Sequence, residues 1–412
     1  MMVINYIDKL EAAKVHDILW SALQARSMKR SEKRILTTHV GSLVRPAELK
    51  ALAQSGKDRP EDVAASDDYL ETLRRATAEV VRKQAAIGVD IISDGEFGKS
   101  SWSNYVLNRI SGFEIRPDQL RPVEWLGRDL QRFGDVIARE MPSVLTGRPT
   151  EACVAPIEYH DRTPIRRAIA NFQTALRGVT VQEAFLTAVA PASTAYDGVN
   201  EYYPSEKEYI FALAEALRQE YQEIHQSGLL LQVDDAVLAN MYDHLVQQSP
   251  ERYRQWAQLR VDALNHALRG IPEDRVRYHV CFGSWHVPHL ADAALGDIAG
   301  FILQVRAGAY SIEAANPRHE HEWRVWQNGK LPAGKILIPG VITHHTITVE
   351  HPRLVADRIV RYAKLVGPEN VIAGTDCGFA QVDVIERVPA PVMWAKFEAL
   401  VEGAALASKE LF

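Results

Sequence analysis

The 412-residue chain is 47% hydrophobic and 24% charged, the balance of an ordinary globular protein rather than of a disordered, collagenous or membrane-embedded one. A net charge of −6 leaves no basic footprint for nucleic acid. Three cysteines are too few for a disulfide framework, no apolar run reaches the ~20 residues of a membrane span, and no signal peptide opens the chain. The expectation is a cytoplasmic protein of small-molecule chemistry, with no nucleic-acid or membrane partner.

Residues 1–33 place Ile7, Leu10, Val15, Ile18, Leu19 and Ala22 at helical spacing, followed by Arg26, Lys29, Arg30 and Lys33. They read as an N-terminal helical extension, either an arm for a homo-oligomer or a loosely ordered tail. The catalytic domain is expected over 34–412. Its first strand, 34–42, ends at His39-Val40-Gly41-Ser42. A helix over 66–87 repeats apolar residues three and four apart (Leu70, Leu73, Ala76, Val80, Val81) and closes at Gly88. The second strand, 89–94, runs into Asp94-Gly95-Glu96. Residues 113–150 show no sustained period and read as an insertion, placed as a lid whose Phe113, Trp125 and Phe133 would cover the site. A strand-like piece at 152–159 follows.

Regular alternation then resumes: strand 185–190, helix 205–226, strand 229–234, helix 250–269, strand 276–281, helix 294–307 and strand 309–313. After a polar, aromatic stretch at 316–330 come strand 335–342, helix 351–366, strand 370–375 and a last helix over 386–407. Ser205 with Glu208 marks a capping box, and Gly228 a left-handed helix end. With 152–159 set aside, eight strands alternate with helices, and the polar residues collect at the strands' carboxyl ends: His39, Glu96, Asp234, His279, Cys281, Glu313, His345 and Cys377. That distribution predicts an α/β fold, a (β/α)₈ TIM barrel with its site at that face. No G-x-G-x-x-G or P-loop favours an open doubly wound sheet.

His279 and Cys281 stand two apart at a strand end and so share a face. With Cys377 and Glu313 at other strand ends they make a four-ligand set of the types zinc prefers, the fourth ligand being Glu313 or water. Against this, a free cysteine also serves as a small buried hydrophobe. Two thiolates and an imidazole make the metal a modest Lewis acid, suited to holding a substrate thiol as thiolate. His345 could protonate a leaving group, although it shares the loop with His344. Glu96 and Asp234 could bind an ammonium group or cap helices, with Asp235 the better cap. His319, His321 and Glu322 read as a surface or lid cluster. A sulfonate-ended thiol would instead require an arginine such as Arg45, Arg109 or Arg318.

The ordered segments Thr37-Thr38-His39-Val40-Gly41-Ser42, Asp94-Gly95-Glu96, Gln232-Val233-Asp234, His279-Val280-Cys281, Ser311-Ile312-Glu313, Pro339-Gly340-Val341 through His345, and Asp376-Cys377-Gly378 resemble the catalytic barrel of cobalamin-independent methionine synthase. The resemblance spans about 34–408. It implies Zn2+ on His279, Cys281, Glu313 and Cys377, thiol binding at Ser42, Glu96 and Asp234, and His345 as the catalytic histidine. The expected function is therefore methyl or alkyl transfer to a thiol such as homocysteine, with methyl-folate a candidate donor. The chain is about half the length of the full synthase and lacks its N-terminal barrel. Phe97-Gly98-Lys99 departs from the synthase pattern, and 314–323 is more similar to shorter relatives such as the epoxyalkane:coenzyme M transferases. Epoxide opening by a thiol such as coenzyme M is the alternative chemistry, and a zinc-stabilised binding protein without turnover the alternative class.

Overall fold

The structure is a computed structural model that describes residues 27–54, 65–196, 198–328, 331–382 and 386–412. Most of the expected N-terminal extension, 1–26, lies outside the described residues.

Eight short strands carry the fold: β1 (Leu36–Thr37), β2 (Ile91–Ile92), β3 (Glu183–Val189), β4 (Leu230–Asp235), β5 (Val276–Val280), β6 (Ala309–Ile312), β7 (Ile336–Ile342) and β8 (Ile372–Thr375). Each pairs in parallel with its sequence neighbour from β2 to β8, and β8 pairs with β1. The ring closes where Thr38 lies opposite Ile91 and its Oγ1 donates to the Ile91 carbonyl at 2.9 Å. Asp90 reinforces the seam, accepting from Thr37 N (2.9 Å), Thr37 Oγ1 (3.1 Å) and Arg34 Nη1 (2.8 Å). The expected (β/α)₈ barrel is therefore present, with β1 and β2 cut to two residues each, far shorter than the runs over 34–42 and 89–94 that predicted them.

The helices show why the pattern was readable. Asp67–Ile87 buries Tyr69, Leu73, Ala76, Val80 and Val81 on one face, and Ser66 caps it by accepting from Tyr69 N. Glu206–Gln226 starts at Ser205, whose Oγ accepts from Glu208 N and donates to the Glu208 carboxylate. Gly228 follows with φ 81°, a conformation glycine adopts at little cost. Among the helices not anticipated are Ala47–Gln54 and Thr163–Leu176. The second buries Ile165, Ile169, Phe172 and Ala175 behind a proline in its first turn, a signal present in the sequence.

The barrel interior is layered. At the amino end Leu36, Ile91, Phe185, Leu230, Ala309, Ile336, Ile338 and Ile372 form an apolar floor, closed by Met28 from the segment ahead of β1. Each of these side chains other than Ala309 contributes about 1.5–3 kcal/mol by leaving water. Above it lies Arg277, 1% exposed, donating to Thr38 Oγ1 (3.0 Å) and the His39 carbonyl (2.8 Å), its guanidinium 3.8 Å from the Phe185 ring centroid. Burial pulls its pKa down to about 9, against the carboxylates of Asp234 and Glu183.

The insertion is more ordered than its composition suggested. Phe113–Arg121 pairs antiparallel with Arg148–Cys153, which pairs in parallel with Val199–Asn200, and Gly127–Glu140 is a helix between the first two. The strand escaped notice because most of it is exposed and its register slips between Arg116 and Leu120, so no apolar alternation survives. The helix spaces Leu130, Phe133 and Ile137 on one face but kinks at Phe133.

Replacing Asp90 with Ala strands the buried Thr37 N–H. The variant should unfold about 2–4 kcal/mol more easily in urea, with an unchanged denaturant slope. A loss below about 0.5 kcal/mol would mean the seam does not depend on this carboxylate.

Candidate active site

Two strand ends on well-separated parts of the barrel bring sulfur to sulfur. Cys281 follows β5 and Cys377 follows β8, and their Sγ atoms lie 3.4 Å apart, well beyond the ~2.05 Å of a disulfide. Gly283 N donates to Cys281 Sγ at 3.3 Å, and Ser284 Oγ to Cys377 Sγ at 3.2 Å. The Cys281 thiol pushes Cys377 well below the ordinary cysteine pKa, and the same contact with burial pushes Cys281 well above it. His279 shares the cluster, its Nδ1 3.3 Å from Ser311 Oγ and its Nε2 buried with no nitrogen or oxygen partner among the described residues, beside the Cys377 sulfur that raises its pKa. One ligand atom from each of His279, Cys281 and Cys377 lies within 4.8 Å of the others. A buried imidazole lone pair facing two sulfurs is a donor set that fits a metal ion of zinc's preferences.

Glu313 stands apart from this group of three. Its carboxylate is 1% exposed and accepts from Phe282 N (2.9 Å) and Asn316 Nδ2 (2.9 Å), with His345 Nε2 at 3.8 Å. Burial works to raise its pKa but is outweighed by His345, His319 and the Phe282 N–H, so the carboxyl stays below its usual range. Asp376 fixes this loop: its Oδ1 accepts from Ala314 N (2.7 Å) and Ala315 N (2.8 Å).

The three ligand-type residues share one pocket with Ser42, Glu96 and Asp234. Glu96 sits at φ 59° directly after Gly95 at φ 76°, a left-handed turn that aims the carboxylate inward. Gly41 must stay glycine, because an added Cβ would lie 2.5 Å from Glu96 Oε1. Lys99 Nζ is 3.9 Å from Glu96 and is held by the Thr187 carbonyl and hydroxyl at 2.8 and 2.5 Å. Asp234 accepts from Gln232 Nε2 at 2.8 Å, and burial together with the charge of Glu96 pushes its pKa up to about 7. Its neighbour Asp235 caps the turn at Val237 and Leu238, as expected.

Other expectations need correction. His39 lies in the core: its Nε2 bonds Gln84 Oε1 at 2.7 Å, and burial drives its pKa down to about 3. Of the adjacent pair, His344 is buried, whereas His345 lines a second cavity with His286, His289, Asp292, Glu313 and His319. His319 and Glu322 are a buried pair at 2.7 Å, not a surface cluster. Phe113 sits opposite Cys153 near Tyr209, away from the mouth. Trp125, by contrast, stacks on Trp285 with centroids 4.1 Å apart. The insertion helix also touches the carboxyl-end loops through Glu140 to Arg387 Nε (2.6 Å) and Asp129 to Ala291 N (3.2 Å). Sequence reasoning missed Trp285 and Arg387, both lining the thiol pocket from loops of irregular spacing.

Fold and site together define a parallel α/β barrel that carries a two-sulfur, one-imidazole centre in the mouth formed by its carboxyl-end loops. Residues 35–121 and 122–393 match the cobalamin-independent synthase catalytic domain, and the chain belongs to that family. It is 24% identical over 348 residues to a methionine synthase of Thermococcus kodakarensis, covering 84% of this chain and 86% of that one. A methionine synthase of Saccharolobus solfataricus is 25% identical over 381 residues, covering 91% and 95%. In fold it is similar to a B12-independent methionine synthase from Shewanella sp. W3-18-1 solved with selenomethionine, at a TM-score of 0.66 and 18% identity over 92% and 99% of the two chains.

His319 offers a stability test. Burial disfavours its charge, but Asp292 and Glu322 outweigh this and lift its pKa to about 10, above the ~6.5 of a free histidine. A raised folded-state pKa stabilises fully below about pH 6.5 and loses that contribution as pH climbs towards 10. The unfolding free-energy gap between wild type and His319→Gln should therefore shrink steadily from pH 6.5 to 9. A gap independent of pH would contradict the charged pairing.

Proposed function

We propose that this chain transfers a methyl group to the sulfur of a small thiol, with homocysteine as the acceptor. The observation that carries the reading is the sulfur pair, 3.4 Å apart without a disulfide and grouped with the His279 imidazole within 4.8 Å, in a pocket with two carboxylates. The relatives named methionine synthase support it, and their own lengths are matched over 86–95%, so the reading requires no second barrel.

In this reading His279, Cys281 and Cys377 would hold zinc, and Glu313, which stands outside that group of three, would serve as an exchangeable fourth ligand only by leaving its bonds to Phe282 N and Asn316. Zinc in such a set lets a bound thiol persist as thiolate at neutral pH. Glu96 and Asp234 take the acceptor's ammonium, and Ser42 lines the same pocket. The acceptor's sulfur forms a bond to the methyl carbon while the bond from that carbon to its carrier breaks. His345, 18% exposed by side chain on the wall of the adjoining cavity, gives a proton to the carrier atom that leaves. The methyl carrier, of folate type in this reading, is assigned to that cavity, whose His286 follows Trp285 of the thiol pocket. The Trp125–Trp285 stack shields the thiol pocket from water, which would compete for the methyl group. Unpaired thiols suit a reducing compartment, so a cytoplasmic location belongs to the proposal. Among the described residues no helix is long and apolar enough to cross a membrane.

Metal analysis and a homocysteine-to-methionine assay with methyltetrahydrofolate test this. Wild type should carry about one zinc per chain and form methionine. Cys377→Ser and Cys281→Ser should lose the metal and more than about 100-fold of activity, beyond the usual effect of outer-shell changes. Stoichiometric zinc and undiminished turnover in Cys377→Ser would contradict the assignment.

A further inference from the structure

The pocket's cationic side is unassigned by anything above. Three arginines singled out from sequence are occupied elsewhere. Arg45 donates to the carbonyls of Ala380, Glu96 and Lys99, Arg109 is paired at 2.9 Å with buried Glu220, and Arg318 donates to the Leu290 carbonyl beside the other cavity. Arg277 is spent inside the barrel on Thr38 and His39.

Arg387 differs from all of these. It enters from the stretch between β8 and the last helix (Ala390–Leu411) and lines the thiol pocket. Its side chain is 11% exposed, and Glu140 of the insertion helix grips it at Nε alone, 2.6 Å from Oε1. Among the described residues its two Nη groups make no hydrogen bond. A guanidinium oriented through Nε and bare at both Nη groups presents a two-pronged donor, which matches a carboxylate's two oxygens. The segment after β8 crosses to the loop beyond β2, where Val382 pairs with Ser101, and Arg387 follows it into the pocket that Asp234 enters from the end of β4.

We infer that Arg387, aimed by Glu140, receives the carboxylate of a thiol amino acid whose ammonium faces Glu96 and Asp234. The inference rests on the thiol-acceptor reading above and names the part of the acceptor that Arg387 recognises. It also gives the insertion a second task, since the helix that covers the mouth holds the residue that reads the substrate's acid end.

Calorimetric titration of the as-purified protein tests it with homocysteine, 3-mercaptopropylamine (no carboxylate), 4-mercaptobutanoate (no ammonium) and 2-mercaptoethanesulfonate. In Arg387→Ala, homocysteine and 4-mercaptobutanoate should bind roughly 10- to 100-fold more weakly, as for loss of a charged hydrogen-bond pair. The amine should change less than about twofold, and Arg387→Lys should recover part of the loss. Glu140→Gln, which keeps the guanidinium but loosens its aim, should show a smaller effect in the same order. Homocysteine and the amine weakening alike, or neither weakening, overturns the inference while leaving the thiol reading intact. Wild type preferring the sulfonate to homocysteine overturns the amino-acid assignment. Wild type binding none of the four overturns the thiol reading and this inference together.

Discussion

Two sulfur atoms held 3.4 Å apart without a bond are the constraint on which the mouth of this barrel depends. Neither strand could bring them together alone. Cys281 is fixed by β5, whose register sets His279 opposite Asp234 on one side and Ser311 on the other. Cys377 is fixed by β8 and by Asp376, which ties the turn after β8 to the loop after β6. Closure at the Thr38–Ile91 seam makes this geometry cooperative, because the ends of β5 and β8 hold their separation only while the ring is complete.

The protein interior, inside the barrel and between it and its helices, buries several charges. Arg277, Lys99, Arg109 with Glu220, Glu96 and Asp234 are all buried. Removing such charges from water costs several kcal/mol apiece unless partners compensate, so replacing them with apolar residues would not weaken the fold for want of a salt bridge. Their arrangement follows use instead. Arg109 and Glu220 saturate one another, with the Tyr105 hydroxyl donating to Glu220 at 2.6 Å. Lys99 stands behind Glu96, and only Glu96 and Asp234 of this group line the pocket with their carboxylates. The two carboxyl groups of that wall, both raised in pKa by burial, and the Nη groups of Arg387, which make no hydrogen bond among the described residues, give the pocket a polarity suited to a zwitterion.

Much of this was legible because strand ends in a parallel barrel are where irregular polar residues gather. His279, Cys281 and Cys377 were found by residue type at such ends, as were Glu96 and Asp234. The same rule misread His39, whose side chain turns into the core against Phe185 and Phe397, since strand position alone does not say which way a terminal residue faces. Glu313 was placed with the ligands by sequence, whereas its carboxylate is held by Phe282 N and Asn316 in this structure. Arg387 was invisible because its role comes from Glu140, 247 residues earlier in an insertion without clear periodicity. The helix Thr163–Leu176 was readable and overlooked in the shadow of that insertion.

The central claim is that this centre holds a substrate's sulfur beside its own two. X-ray absorption at the zinc edge of the purified protein, before and after homocysteine is added, addresses it most directly. The account predicts two sulfur neighbours at rest and three with homocysteine, the third gained at the expense of an oxygen or nitrogen. A sulfur count that stays at two when homocysteine saturates the protein would contradict it.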